Sequence, residues 1–196
     1  MKTEETITWE DCRATTEELL SRLQPINDAF LAQMDSQRGV YILTYKGAEL
    51  GGPLWDEPEE KVVYVGRSKY NSSRHFLPGS TGTSTIRRSL AALLGPSLDL
   101  HPIPRCDDPA DNDRYNNYKL DEKGEIALSQ WMTANFRGAF LELPQEAVLP
   151  MEMALIRYNA PVFNFQNNPG NTYGGQIKAY RKRYAQFALE NEGKYI

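Results

Sequence analysis

Two short runs constrain this chain more than anything else in it: Gly39-Val40-Tyr41-Ile42-Leu43, and Val62-Val63-Tyr64-Val65-Gly66-Arg67-Ser68. Each is rich in β-branched and aromatic residues, carries one Tyr and is bounded by turn formers, so each reads as a strand. Between them Gly47, Gly51, Gly52, Pro53 and Pro58 exclude regular structure and favour a long hairpin connection. Two neighbouring antiparallel strands would bring Tyr41 and Tyr64 close enough for both phenols to share a site.

The remaining elements follow from periodicity and punctuation. Residues 7–23 read as a helix, with Thr8 and Asp11 as a capping box and Leu19, Leu20 and Leu23 at helical spacing. Pro25 breaks it, and Ile26 to Met34 is a second short amphipathic piece, so residues 1–36 form a helical N-terminal arm. A polar loop, Lys69 to Ser84, holds Lys69, Arg74 and His75 with Tyr70 and Phe76 interleaved. Ser84 or Thr85 caps a helix from Ile86 to Leu94 that Gly95-Pro96 should end. On it Arg87 borders the apolar stripe, and Arg88 lies almost opposite.

Residues 96–123 are irregular. Their acidic cluster (Asp107, Asp108, Asp111, Asp113) lacks the glycine and closing glutamate of a calcium loop and reads as solvated. Arg114 to Leu120 suggests a strand, Gly124 to Asn135 a helix, and Phe136 to Leu143 a third strand of the main sheet. A helix from Gln145 to Tyr158 ends before Ala160-Pro161, and Val162 to Phe165 is extended. The last helix, Gln176 to Glu190, carries Lys178, Arg181, Lys182 and Arg183, the one strongly basic run. The order describes a single α/β (α+β) domain over residues 1–196: a small antiparallel sheet of three or more strands flanked by helices.

Composition sets limits. At 196 residues, 40% hydrophobic and 24% charged, the chain can bury a core and is too apolar for general disorder. No run reaches the roughly 20 apolar residues of a membrane span. Met1 to Glu5 lacks a signal-peptide core. Two cysteines neither staple a fold nor hold zinc. These features point to a cytoplasmic protein. The net charge of -4 argues against a uniformly basic nucleic-acid binder, so any basic face must be local.

Glu152 sits beside the apolar stripe formed by Val148, Met151, Leu155 and Ile156, where a carboxylate is costly to desolvate unless something neutralises it. Leu155 and Ile156 follow it at +3 and +4, Pro161 at +9 and Asn164 at +12. Together with the Gly-Val-Tyr and Tyr-Val-Gly strands, this ungapped pattern resembles the GIY-YIG nuclease family over residues 37–166. Residues 167–196 then form a basic C-terminal extension.

The resemblance implies a metal-dependent endonuclease that hydrolyses phosphodiester bonds in DNA. Tyr41 would act as general base or orient the attacking water, and Tyr64 would hydrogen-bond the phosphate or the water. Glu152 would be the single-carboxylate ligand of Mg²⁺ or Mn²⁺, and Asn164 would brace the site near the first strand. Arg67 stands where many relatives have Lys; it neutralises charge but cannot relay protons. The family's essential helix Arg falls at Ser89 in the ungapped register, and Leu93 stands one turn later. Arg87 is therefore expected to serve as phosphate clamp, with Arg88, Arg74 or Arg67 as substitutes.

The loops and the Gly/Asn-rich segment after Asn164 resemble elaborations of the family's restriction enzymes, which act as monomers or homodimers. Contacts to DNA are expected from Arg74, His75, Arg88, Lys178, Arg181, Lys182 and Arg183. The competing reading is a non-catalytic nucleic-acid-binding or protein-interaction module that keeps the fold. Ser89, Leu93 and the acidic balance favour it; Tyr41, Tyr64, Glu152 and Asn164 disfavour it.

Overall fold

The structure, a computed structural model, describes residues 7–45, 61–70 and 72–193; the expected hairpin connection lies outside them. The elements in chain order are α1 (Trp9–Ser21), β1 (Gln24–Pro25), α2 (Asp28–Ser36), β2 (Arg38–Tyr45), β3 (Val62–Lys69), α3 (Thr85–Leu98), β4 (Pro102–Ile103), β5 (Lys119–Leu120), α4 (Glu122–Asn135), β6 (Phe136–Glu142), α5 (Gln145–Asn159) and α6 (Gly174–Glu190). The chain divides into two units. Of the described residues, those within 1–47, 57–73 and 133–172 form one, and those within 74–132 and 173–196 form the other.

In the first unit an antiparallel sheet has the order β1-β6-β2-β3. Val40 and Ile42 of β2, Val65 of β3 and Ala139 of β6 pack with Val148, Leu155 and Ile156 of α5 and Leu19 of α1. These residues share one face because strand side chains point to opposite faces in turn, and β2 is buried on both. The capping box at Thr8 forms as expected, with Thr8 and Asp11 exchanging hydrogen bonds of 2.9 and 3.1 Å. The first 36 residues do more than pack helices: Gln24–Pro25 adds a fourth strand beside β6, an edge position where Pro is tolerated. Phe30 and Met34 of α2 are fully buried.

In the second unit α3 runs through Gly95-Pro96 to Leu98 instead of stopping there. Pro96 keeps a helical φ and gives up only one intrahelical bond. A Cβ at Gly95 would meet the Tyr184 hydroxyl at 1.8 Å, so this glycine serves the close approach of α6. The expected strand from Arg114 shrinks to Lys119–Leu120, paired with Pro102–Ile103. Upstream, the Asp108 and Asp111 carboxylates accept the Ala110 and Asp113 amides, and such local bonds compete with strand pairing.

Arg87 organises this unit. It is 0% exposed, and every N–H of its guanidinium has an acceptor. Nε donates to Thr81 Oγ1, Nη1 to Ser129 Oγ and the His75 carbonyl, and Nη2 to the Glu125 carboxylate at 2.7 Å and the Glu125 carbonyl. Glu125 also accepts from Gly79, Thr81 and Leu120. Glu125, Leu128, Ser129 and Met132 are the buried face of α4, whereas Ile126 is exposed.

Removing one partner of a buried ion pair leaves an uncompensated charge. Arg87→Met should therefore lower stability by about 3–5 kcal/mol in denaturant titrations, and adding Glu125→Gln should recover part of that loss. A single variant within about 1 kcal/mol of wild type would contradict the pairing.

Candidate active site

The two tyrosines meet in the first unit through strand register. Tyr41 pairs with Gly66 and Leu43 with Tyr64, so Tyr64 is the diagonal neighbour of Tyr41. Their ring centroids are 6.0 Å apart, and the phenols share a hydrogen bond. Gly66 explains itself here. A Cβ on it would lie 2.4 Å from Tyr41 Cζ and 2.5 Å from its hydroxyl, so the Tyr41 ring crosses the strand where no side chain stands. Gly39 opens the other run for a similar reason: a Cβ there would strike the Leu141 carbonyl at 2.0 Å.

β3 is an edge strand, and the segment after α5 closes that edge. Phe163 N–H donates to the Val63 carbonyl at 3.1 Å. The Asn164 carboxamide accepts from Val65 N–H at 2.9 Å and donates to the Val65 carbonyl at 2.8 Å, as a neighbouring strand would. The register of β2 and β3 skips at Val63, giving a bulge next to Tyr64. Asn164 thus braces the second of the two tyrosine strands, not the first as expected, because α5 delivers it to the open edge.

The Asn-rich segment that follows turns its amides inward. Asn168 donates to the Pro161 and Asn164 carbonyls, and Asn171 to those of Val162 and Asn164, so both fasten the turn that presents Asn164.

Glu152 lies on α5, its side chain 17% exposed, with Arg67 Nε 3.3 Å from one carboxylate oxygen. That is longer than a good charge-assisted hydrogen bond. Burial raises the Glu152 pKa above the usual carboxylate range, against the pull of Arg67 and Lys69. The same surroundings push the Tyr64 phenol up to about 12, first through burial and then through the Glu152 charge; the Tyr41 hydrogen bond and Arg67 act the other way. At neutral pH Tyr64 is a neutral phenol, a hydrogen-bond donor. By strand alternation Arg67 shares the α5 side with Val65, while Tyr41 lies on the other side with Gly66. The carboxylate and the phenols therefore communicate around the edge strand that carries Tyr64.

The other expected residues belong to the second unit. Arg87 is committed to Glu125, Ser129, Thr81 and His75, with no N–H left for phosphate. Arg88 does not face solvent as its helical position suggested; it is 7% exposed because α6 covers that side of α3. Its Nη1 holds the carbonyls of Thr81 and Gly82. His75 bonds Ser84 Oγ through Nδ1 at 3.0 Å, and burial beside Arg74 and Arg87 lowers its pKa to about 4. It is uncharged at neutral pH and is no cation for phosphate. Arg181 is half-buried, whereas Arg74, Lys178, Lys182 and Arg183 are exposed.

Sequence reasoning missed Glu125, though its spacing to Leu128 and Met132 placed it on a buried helical face. Among the described residues no three His, Cys, Asp or Glu side chains cluster as metal ligands, and no helix is long and apolar enough to cross a membrane.

Because burial raises the Glu152 pKa, the folded state disfavours its ionised form. Stability contributed by this group is fully present below the ordinary carboxylate pKa and is lost as pH rises through the raised folded-state value. Glu152→Gln should melt higher than wild type at pH 7, and the difference should vanish below about pH 4. A lower melting temperature at pH 7 would mean that the Arg67 pairing outweighs desolvation.

Among families of known proteins, the model described as the GIY-YIG catalytic domain matches residues 41–183. Neither a curated protein nor a solved structure matches the chain. The family match begins at Tyr41 and spans the strands, the Arg helix and the Glu152 helix described above. The chain belongs to the GIY-YIG catalytic-domain family of nucleases.

Proposed function

We propose that the protein is a divalent-metal-dependent endonuclease that hydrolyses phosphodiester bonds in DNA. The observation that carries this reading is the under-compensated Glu152 carboxylate beside a hydrogen-bonded pair of phenols. A partly buried carboxylate whose ion-pair partner among the described residues sits at 3.3 Å is suited to a further cation. A hard ion such as Mg²⁺ or Mn²⁺ is commonly held by one or two carboxylates, with water and substrate phosphate completing its shell. When bound there it would supply charge neutralisation at the phosphate. Glu152 would hold it.

The protein's own groups have distinct roles in this reading. Tyr64, a neutral phenol, donates a hydrogen bond to the phosphate or to the attacking water. Tyr41, packed over Gly66 and bonded to Tyr64, orients that water or takes its proton. Arg67 offers fixed positive charge beside Glu152 and stabilises the developing anion electrostatically. Asn164 positions both by holding the backbone between Tyr64 and Gly66.

Arg67 takes the cationic role in place of Arg87, whose donors are all occupied, and Arg88 likewise serves the fold. Lys69, Arg74, Lys178, Lys182 and Arg183 provide exposed positive charge for the DNA backbone. The family's restriction-like members remain the guide to its biology. A specific observation favours the second reading, a binding module without catalysis: of the two arginines just before Ser89, Arg87 is bound to Glu125 and Arg88 to the Thr81 and Gly82 carbonyls.

Purified protein with Mg²⁺ or Mn²⁺ should nick supercoiled plasmid. Glu152→Ala and Tyr41→Phe should each lower the rate by about 100-fold or more while the circular dichroism spectrum stays native. Wild type that binds DNA with a steep salt dependence yet cuts none would establish the binding module instead.

A further inference from the structure

β3 ends in an unusual way. After Lys69 the chain turns through Tyr70 with φ +70°, a left-handed conformation that a bulky aromatic side chain rarely adopts. Such outliers persist where the surroundings fix them, and they gather at functional sites. Here the turn lifts the ring onto the Arg38 guanidinium, whose carbon lies 4.8 Å from the ring centroid. Arg38 Nε is buried without a hydrogen-bond partner, and the guanidinium that carries it lies over the ring. Tyr70 is nevertheless 49% exposed. In register Arg38 stands opposite Lys69, so the strand end that carries the ring is also basic.

The location gives this ring a use. Tyr70 follows Arg67 by three residues, about 10 Å along a strand, or roughly three nucleotide steps of duplex rise. An exposed aromatic ring backed by a guanidinium at a basic strand end is the combination that stacks nucleobases next to a gripped backbone. Such a ring can take only a base that has left the helical stack, because a base within a duplex already has neighbours on both faces.

We propose that Tyr70, pinned by Arg38, is a stacking platform for an unstacked nucleobase within about three nucleotides of the cleaved phosphate, and that the preferred substrates are DNAs with unpaired bases there. The proposal rests on the DNA-cleaving reading above and narrows its substrate class.

The test uses forked oligonucleotides, a duplex with a single-stranded arm, and the full chain. The cleaved bond is mapped with active enzyme, and affinity is then measured in a Glu152→Ala background. Adding Tyr70→Ala should weaken binding about tenfold, the loss expected for one base stack, whereas Tyr70→Phe and Tyr70→Trp should retain it. An abasic sugar at one nucleotide near the cut should abolish the difference that Tyr70→Ala makes on the intact fork.

Equal affinity with and without the Tyr70 ring would overturn the platform and leave the nuclease reading standing. So would a loss that Tyr70→Phe does not restore, or one of the same size on every abasic fork, since Tyr70 would then act only by shaping the strand end. Failure of active enzyme to cut any fork or plasmid would overturn both readings together.

Discussion

One side chain stands in for a missing strand. β3 carries Tyr64, Gly66 and Arg67 at the edge of the sheet, where unpaired N–H and C=O groups would otherwise face solvent or another chain. The Asn164 carboxamide satisfies both groups of Val65, the residue between Tyr64 and Gly66. Because a carboxamide has one acceptor and one donor end, it reproduces strand pairing for a single residue and no further. The edge is therefore closed where the phenol and the basic residue diverge. Asn168 and Asn171 hold the turn that delivers it. β2 holds β3 from one side and this brace from the other, so the Tyr41 ring lies across a strand fixed at both edges.

Two carboxylates, one buried and one partly buried, show how surroundings divide the work. Glu125 accepts from Arg87 at 2.7 Å and from three further donors, so its charge is fully answered and it acts as a keystone of the second unit. Glu152 has a longer contact to a partly exposed Arg67 and a raised pKa. The first arrangement leaves nothing for a ligand to add. The second leaves a negative charge that a cation would stabilise, and it transmits that charge to Tyr64. This difference separates the two arginines, though both side chains are guanidinium groups beside glutamate: one pair is closed and the other is open to a further charge.

Much of this was legible in the sequence, and the rest was hidden for physical reasons. Strand alternation and cap chemistry are local, so β2, β3, β6, α1 and α5 can be read from residue order alone. Glu152 and Asn164, named by the family resemblance, do reach β3: α5 carries the first, and the segment after that helix delivers the second. Helix α3 continues past Gly95-Pro96 against expectation, because the reason for that glycine, the Tyr184 hydroxyl, lies 89 positions later in the sequence. Arg87 departs from its expected role for the same kind of reason: its partner Glu125 is set by packing of α3 against α4. That Asn164 braces β3, and not the first strand, depends on sheet order, which one sequence does not reveal.

The central claim is that one desolvated carboxylate is the cation site of this protein and that the substrate's phosphate completes it. Electron paramagnetic resonance of free Mn²⁺, titrated with protein in the presence and absence of a duplex bearing non-hydrolysable linkages, tests this without any cleavage. The account predicts weak Mn²⁺ uptake by the protein alone, tight uptake of one ion per chain with DNA, and loss of the tight component in Glu152→Gln. Equal uptake by wild type and Glu152→Gln in the presence of DNA would contradict it.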